Sequence, residues 1–226
     1  MLGGLFALRL RDRLHLILGF SAGAIIGVAF FDLLPEAVEL GGALYEASVL
    51  LAVTALGFLI YLALDRLILL HTHDHDGEDH HAGRGIVGAS SLSFHSLLDG
   101  IGIGLAFQVS PAVGVVVAAA VLTHDFSDGI NTVNMIIKNG GERARALKWL
   151  LVDALAPVAG ILATLFFSIS DAHLGLLLAL FAGFFLYIGA SDLVPESHHK
   201  HPTFWTTAMT VVGAAVLFTA IRLAGV

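Results

Sequence analysis

The sequence predicts an all-α polytopic membrane protein with seven transmembrane helices. Hydrophobic residues make up 57% of the 226 residues and charged residues only 13%, and the mean hydropathy is +0.89; soluble globular domains have a far more polar mix. Seven segments are long enough to cross a hydrocarbon core, which needs roughly 20 apolar helical residues. Apolar and polar residues do not alternate along these segments, so they are not strands of a membrane β-barrel.

The seven predicted spans follow one another with short connections, and only the connection after the second span is long. Because Arg9, Arg11 and Arg13 lead directly into a span too long for a signal-peptide core, we expect no cleavable leader. The chain contains no cysteine, which excludes disulfides and thiolate metal ligands. We expect one transmembrane domain over residues 1–226, with spans at residues 14–36, 46–70, 86–108, 112–137, 147–168, 174–195 and 203–223.

Lysine and arginine residues are distributed unequally over the two sides of the spans. Of the 11, ten fall on one side and Arg222 alone falls on the other. Since loops rich in Lys and Arg stay in the cytoplasm, we expect the N-terminus and the loop at residues 71–85 to be cytoplasmic, and the C-terminus to lie outside a plasma or inner membrane. The ten residues are Arg9, Arg11, Arg13, Arg66, Arg84, Lys138, Arg143, Arg145, Lys148 and Lys200.

Two pairs of short motifs repeat along the chain. D-L-L-P-E at residues 32–36 ends the first span and D-L-V-P-E at residues 192–196 ends the sixth, while H-S-L-L-D-G at 95–100 and H-D-F-S-D-G at 124–129 lie in the third and fourth. The members of each pair lie in spans of opposite direction, which indicates an inverted-topology repeat, although matches this short also arise by chance. The fifth span then lacks a partner. We therefore expect an eight-helix plan whose first helix is truncated or absent.

The third and fourth spans carry ionisable side chains at membrane depth, where each costs from about 2.5 kcal/mol upward. On a helix, His95 and Asp99 lie one turn apart on one face, as do His124 and Asp128, and Asp125 is adjacent. Facing stripes would gather two imidazoles and three carboxylates, which a divalent cation neutralises. The sequence therefore predicts a metal site, with helix-to-helix hydrogen bonding and a metal-free proton relay as alternatives.

Other acidic residues lie nearer the ends of the spans. Asp153 precedes Pro157 in the fifth span, where a proline frees a backbone carbonyl and bends the helix. Asp153 either extends the metal site or faces cytoplasmic water. The acids of the two D-L-x-P-E motifs either attract cations at the mouths or are simply solvated; they are Asp32, Glu36, Asp192 and Glu196.

The long loop contains H-T-H-D-H-D-G-E-D-H-H, with five histidines and four acids in eleven residues at 71–81. Tracts of this composition bind divalent metals weakly and flexibly. A loop that only solubilises the connection, the alternative, would not need so many imidazoles. The predicted loop ligands are His71, His73, His75, His80 and His81, and a smaller cluster on the same side contains His198, His199 and His201.

These segments together resemble the ZIP (zinc and iron permease) family of metal transporters. The resemblance runs from L-I-L-G-F-S-A-G at residues 16–23 through D-L-L-P-E-A and the His-rich loop to D-L-V-P-E, and its most specific part is the paired motif of the third and fourth spans. It implies two adjacent metal positions that share the last acid of each motif, Asp99 and Asp128. The implied ligand positions are His95, Ser96 and Asp99 on one helix and His124, Asp125 and Asp128 on the other.

Several positions depart from the family pattern. Ser96 stands where many members have Asn, Leu98 and Ser127 replace prolines, and aspartate replaces glutamate at both bridging positions. Because aspartate is one methylene shorter, we expect the second metal position to be weaker or absent. The family usually has eight spans with both termini outside, a difference that one missing helix would explain. Asp153 is a candidate substitute for the acid that members often carry where this chain has Ala156.

The residues and the resemblance together predict a transporter rather than an enzyme. We expect it to move a divalent metal, Zn²⁺ first and also Fe²⁺, Mn²⁺, Co²⁺ or Cd²⁺, into the cytoplasm by alternating access, with membrane lipids and a second copy of the chain as partners and no nucleic acid. Mixed nitrogen and oxygen ligands suit these ions and select none of them. A seven-span intramembrane zinc hydrolase of the ceramidase type, assisted by Ser96 or Ser127, is the alternative. A metal sensor that does not transport is a third interpretation.

Overall fold

Helices account for nearly all of the described structure. The structure is a computed structural model that describes residues 14–73, 81–166, 169–198 and 204–224. Within these ranges no strand occurs. The helices are α1 Leu14–Val28, α2 Leu34–Gly41, α3 Ala47–His73, α4 His81–Val109, α5 Pro111–Lys138, α6 Arg143–Thr164, α7 Asp171–Tyr187, α8 Val194–His198 and α9 Phe204–Ala224, and the π-helical segments Ala29–Leu33 and Ile188–Leu193 join α1 to α2 and α7 to α8.

The seven predicted membrane spans are confirmed. Seven helical segments of 20 to 28 residues are long and apolar enough to cross a membrane. The first span combines α1 with α2, the sixth combines α7 with α8, and the others are α3, α4, α5, α6 and α9. A helix of about 20 residues is about 30 Å long, which matches the thickness of a hydrocarbon core. The chain is therefore an integral membrane protein.

The first and sixth spans share an unusual construction at their D-L-x-P-E motifs. Each passes through a π-helical segment, Ala29–Leu33 or Ile188–Leu193, and continues as an α-helix with proline in its first turn. Proline has no N–H and its ring clashes with the carbonyl four residues earlier, whereas a π turn widens the helix just before it. Asp32 and Asp192 lie in the two π segments. The motif repeat is therefore also a repeat of local structure.

These two spans lie antiparallel against each other. A Cβ added to Gly175, near the start of α7, would lie 2.5 Å from the Gly41 nitrogen at the end of α2. In the second π segment, a Cβ added to Gly189 would lie 2.6 Å from the Ile26 side chain in α1. The two π segments therefore lie toward opposite ends of the pair, as an inverted repeat requires.

The spans form two bundles. The first, second, sixth and seventh spans make a four-span bundle, in which α1 packs along α9 and α3 packs along α7. The third, fourth and fifth spans make a three-span bundle, in which α4 packs along both α5 and α6. Glycines permit the close approaches: a Cβ on Gly213 would lie 2.1 Å from the Phe20 carbonyl oxygen, and one on Gly160 would lie 2.4 Å from the Leu97 carbonyl oxygen. Small residues at helix contacts are usual in membranes.

The two bundles meet in an apolar core on the side away from the His-rich loop. The C-terminal half of α4, the N-terminal half of α5 and parts of α1 and α7 are buried there. A hydrogen bond from Ser21 Oγ to the Thr123 carbonyl, 2.8 Å long, also joins the bundles. This side of the interface is therefore tightly packed. Its core residues include Leu105, Val113, Val117, Leu178 and Phe185.

The helices before and after the predicted loop at residues 71–85 both extend into it. α3 continues to His73, and α4 begins at His81. No proline interrupts either segment, so each helix continues past its apolar part. The truncated or absent helix was predicted before residue 14, which is outside the described residues. Four further predicted positions also lie outside them, namely His75, His80, His199 and His201.

Replacing Gly183 by alanine should destabilise the four-span bundle. The added Cβ would lie 2.1 Å from the Thr54 carbonyl oxygen, so α3 and α7 would have to separate. We expect the free energy of unfolding to fall by roughly 1–3 kcal/mol, the usual cost of overpacking, measured as a lower midpoint of thermal unfolding in detergent. At Gly129 the added Cβ meets only a flexible side-chain end, Leu150 Cδ1 at 3.2 Å. Gly129→Ala is thus the control, and equal midpoints for both variants would contradict the close packing.

Candidate metal site

The third and fourth spans bring predicted ligands together near the middle of their helices. His95 Nε2 lies 3.2 Å from His124 Nε2. Asp99 Oδ2 lies 3.1 Å from each of these two nitrogens. The spacing of four residues places His95 and Asp99 on the same face of α4, one turn apart, and that face points to α5. The three atoms form a nearly equilateral triangle.

The size of this triangle suits a metal ion. Zinc bonds to His nitrogen and Asp oxygen are about 2.0–2.2 Å long, so the edges of a zinc tetrahedron measure roughly 3.3–3.6 Å. The observed edges of 3.1 and 3.2 Å are close to that spacing. Asp128 Oδ2 extends the group, at 3.4 Å from His95 Nε2 and 3.8 Å from His124 Nε2. Asp125 Oδ1 lies 3.8 Å from His124 Nε2.

The possible ligands fall into two overlapping sets of three. His95, His124 and Asp128 form the first set, and Asp99, His124 and Asp125 form the second; within each set the ligand atoms lie within 4.8 Å of one another. His124 belongs to both sets. That Asp99 and Asp128 are shared between two metal positions, as the family resemblance implies, stays a prediction, and Asp99 Oδ2 is 3.1 Å from the Nε2 atoms of both histidines. Since a neutral imidazole has one nitrogen lone pair to offer, His124 serves only one ion at a time.

The site is buried and rich in negative charge. His124 is 0% exposed and Asp99 is 1% exposed. Within the described part of the chain, Asp125 Oδ1 and Asp128 Oδ2 are buried without a hydrogen-bond partner. Burying an uncompensated carboxylate is very costly, and one divalent cation compensates several carboxylates at once. Hydrogen bonding between helices does not account for these two oxygens, because it leaves them without partners.

Ser96 and Asp153 lie beside the ligand sets. Ser96 Oγ is 3.1 Å from Asp153 Oδ1 and 3.1 Å from the Leu92 carbonyl, and it donates to these acceptors. Asp153 is only 5% exposed, so it does not face cytoplasmic water, which was one of its two predicted positions. It belongs to neither ligand set. Its contact with Ser96 joins α6 to α4 next to the site, and metal binding by Ser96 or Asp153 stays a prediction.

A cavity of about 620 Å³ leads to the site from the side of the His-rich loop. Its lining includes all three members of the first set, His95, His124 and Asp128, but neither Asp99 nor Asp125. On the other side of the site, the apolar core fills the space between the bundles. The described structure therefore combines access from one side with tight packing on the other.

The acids of the two D-L-x-P-E motifs differ in their surroundings. Asp192 and Glu196 line the cavity, and Glu196 Oε1 accepts a hydrogen bond from Asn131 Nδ2 at 3.2 Å. Asp32, the repeat counterpart of Asp192, is 1% exposed, and among the described residues neither of its oxygens has a hydrogen-bond partner. Asp192 and Glu196 therefore lie at the mouth of the cavity, as predicted, whereas Asp32 is packed inside the protein.

No sequence motif marks Tyr61, yet it adjoins the site. Its hydroxyl is a hydrogen-bond partner of His95 Nδ1. Asp65, one turn further along α3, accepts a hydrogen bond of 2.8 Å from the Tyr187 hydroxyl. Tyr61 and Asp65 both line the cavity. Their spacing of four residues is the one signal in the sequence, but polar pairs are common near the ends of membrane spans, so it does not single them out.

Residues 69–220 match the model of the ZIP zinc transporter family. This stretch is more than half of the 226 residues and contains both ligand sets. The chain belongs to the ZIP family. Tyr61 and Asp32 lie outside the matched stretch, whereas every midplane ligand predicted from the sequence lies within it.

Several ZIP relatives are similar to much of the chain. The zinc transporter ZupT of Corynebacterium efficiens is 27% identical over 224 residues, which cover 88% of this chain and 84% of that protein. The zinc transporter ZIP9 of Xenopus tropicalis is 31% identical over 152 residues, 62% of this chain and 50% of that protein. The zinc transporter zipt-7.2 of Caenorhabditis elegans is 30% identical over 117 residues, 50% of this chain and 25% of that protein. The chain thus spans half or less of the last two.

Replacing His124 by alanine should remove metal binding, because both ligand sets use this residue. We expect the affinity for Zn²⁺, measured by titration calorimetry on purified protein, to fall by more than about 100-fold, since even partners of ligands account for 10–100-fold. The control is Asp32→Asn, which changes an equally buried acid outside both sets. Unchanged affinity in His124→Ala would contradict the site. To exclude zinc binding by the loop, the reference protein and both variants carry asparagine in place of His71, His73, His75, His80 and His81.

Proposed function

We propose that this ZIP-family chain is a single transmembrane domain over residues 1–226 that carries divalent metal ions, Zn²⁺ by preference, into the cytoplasm by alternating access. The observation that supports this most is the one-sided access to a buried ligand site: a cavity reaches one ligand set, and apolar packing covers the opposite side. A transport site must open to one side at a time and must also release its ion. The relatives named zinc transporters support zinc as the cargo.

The distribution of Lys and Arg supports inward transport. The cavity opens where α3 ends and α4 begins, on the side that carries ten of the 11 Lys and Arg residues. By the positive-inside rule this side is cytoplasmic, with the N-terminus inside and the C-terminus outside a plasma or inner membrane. The ion then leaves the site along a wall that includes Asp65, Asp192 and Glu196. Their negative charge attracts cations toward the cytoplasmic mouth.

The shared histidine supports transport of one ion at a time. Both sets use His124, so an ion in one set excludes a second ion from the other. Asp99 and Asp125 do not line the cavity, whereas all three members of the set with His95 and Asp128 do. An ion that moves from the set with Asp99 and Asp125 to the set with His95 and Asp128 approaches the cytoplasm and stays bound to His124.

Nitrogen and oxygen ligands bind Fe²⁺, Mn²⁺, Co²⁺ and Cd²⁺ as well as Zn²⁺, so these ions are further candidate cargoes. We propose that the His-rich segment after α3 receives ions at the cytoplasmic exit, since such tracts bind divalent metals weakly.

The exposed apolar side chains of α3, α6 and α9 face lipid, and one of these faces also binds a second copy of the chain. Leu51, Leu59, Leu155, Leu162 and Val211 are among them.

The hydrolase alternative is less well supported. Ser96, one of its two candidate serines, makes hydrogen bonds with Asp153 and the Leu92 carbonyl rather than with a ligand histidine. An inverted repeat serves alternating access and has no role in hydrolysis.

Purified protein in liposomes that contain a zinc-responsive dye distinguishes a transporter from a hydrolase and from a sensor. Lipid or amide cleavage without zinc flux would indicate a hydrolase, and zinc binding without either would indicate a sensor.

Asp128→Asn should abolish zinc uptake into such liposomes while leaving the protein folded. The substitution keeps the size of the side chain but removes a charged ligand of the cavity-facing set. Asp171→Asn is the control, because Asp171 is an exposed acid at the start of α7. Monodisperse gel-filtration profiles should show that both variants fold. Wild-type uptake by Asp128→Asn would exclude this residue from the transport site.

Purified protein saturated with Zn²⁺ should hold one midplane ion per chain. The physical reason is that the two ligand sets compete for His124. The measurement is the zinc-to-protein ratio by elemental analysis after desalting, in the background without loop histidines. His124→Ala supplies the value for an empty midplane. A ratio of two above that value would show that both positions fill together, contrary to the competition.

A further inference from the structure

Tyr61 contacts the ligand site from the opposite bundle. It lies on α3, in the four-span bundle, and is only 8% exposed. Its hydroxyl is bonded to His95 Nδ1, and its ring stands edge-on to the His95 ring with centroids 5.8 Å apart. α3 packs along α7 and meets α4 only sparsely. The contact between Tyr61 and His95 therefore joins the two bundles at the cavity wall.

The hydrogen bond with Tyr61 is compatible with the form of the His95 ring that binds a metal through Nε2. Nε2 is the atom that faces the site, at 3.1 Å from Asp99 Oδ2 and 3.4 Å from Asp128 Oδ2. For Nε2 to offer its lone pair to an ion, the neutral ring must carry its proton on Nδ1. In that form Nδ1–H donates to the Tyr61 hydroxyl oxygen. A hydrogen-bond partner on Nδ1 holds the orientation of a ligand histidine.

Tyr61 is itself held in place by aromatic neighbours of its own bundle. Its ring lies 5.3 Å from the ring of Tyr187 and 5.6 Å from that of Phe184. The Tyr187 hydroxyl, which donates to Asp65 2.8 Å away, is not part of these ring contacts. The hydrogen bond of Ser21 with the Thr123 carbonyl also crosses the interface, but it does not end on a ligand side chain. Tyr61 thus provides a fixed point in the four-span bundle for a ligand in the three-span bundle.

We propose that Tyr61 is a positioning residue, which holds His95 in its metal-binding orientation while the cavity is open to the cytoplasm. Because the partners belong to different bundles, this hydrogen bond breaks when the three-span bundle moves to close the cavity. The bond therefore couples the affinity of the site to its access. This inference rests on the proposed transport function and adds a residue outside both ligand sets.

Tyr61→Phe tests the role, since it removes the hydroxyl and keeps the ring. We expect the KM for zinc uptake into liposomes to rise about 10- to 100-fold, as for the loss of other partners of ligand histidines, with a maximal rate no lower than wild type. The absorption spectrum of bound Co²⁺ should also change. Tyr187→Phe is the matched control, because it removes the hydroxyl of the adjacent buried tyrosine, which does not bond to a ligand.

Cavity access gives a second measurement. The chain has no cysteine, so Ser91→Cys places a single thiol on the cavity wall. In metal-free protein, labelling of this thiol by a maleimide should be slower with Tyr61→Phe than without it, because the open state loses a stabilising bond. Tyr187→Phe should label at the unchanged rate.

The outcomes separate this inference from the transport proposal. A raised KM and slower labelling in Tyr61→Phe alone would support it. An unchanged KM, unchanged labelling, or equal effects of Tyr187→Phe would overturn it, since the hydroxyl bond to His95 would then have no role of its own. If wild-type protein shows no zinc flux, the transport proposal fails, and the Co²⁺ spectrum and the labelling rates still decide whether Tyr61 positions His95.

Discussion

The concentration of buried negative charge between the third and fourth spans is the constraint on which the rest of the structure depends. Three aspartates and two histidines lie within one apolar bundle, and Asp125 and Asp128 each present an oxygen that lacks a hydrogen-bond partner within the described chain. A buried carboxylate either takes up a proton or is compensated by a cation. A metal site at this helix contact, as proposed, would compensate several carboxylates at once. It also requires a path for the ion, and the cavity on the side of the His-rich loop supplies one.

Under the proposed alternating access, the inverted repeat explains how the same site can have two paths. The first and sixth spans each carry an aspartate in a π-helical segment before a proline, and the segments lie toward opposite ends of the pair. In the described conformation the two ends are not equivalent: Asp192 lines the open cavity, and Asp32 is buried. Equivalent local structure in unequal surroundings is what alternating access between two conformations requires.

The span count and the grouping of the main candidate ligands were predictable because each depends on local spacing. Apolar length determines whether a helix crosses a membrane, and a separation of four residues places His95 and Asp99 on one face whatever the neighbours are. The position of Asp153 was not predictable, because two turns into a span it faces either water or protein according to how α6 packs on α4. The same holds for Tyr61, which is 34 residues from His95 along the chain and reaches it only through the packing of separate bundles.

By itself the sequence determined an integral membrane protein with seven apolar helices, a paired His and Asp motif at mid-span, and membership of the ZIP family, because hydropathy, helical period and motif are properties of short segments. Only the tertiary structure decided that His124 belongs to both candidate ligand sets, that Ser96 donates a hydrogen bond to Asp153, and that the cavity reaches His95 but not Asp99. These features depend on distances of a few ångströms between helices. Such distances are set by close approaches at residues such as Gly160 and Gly183, whose effect depends on what they face.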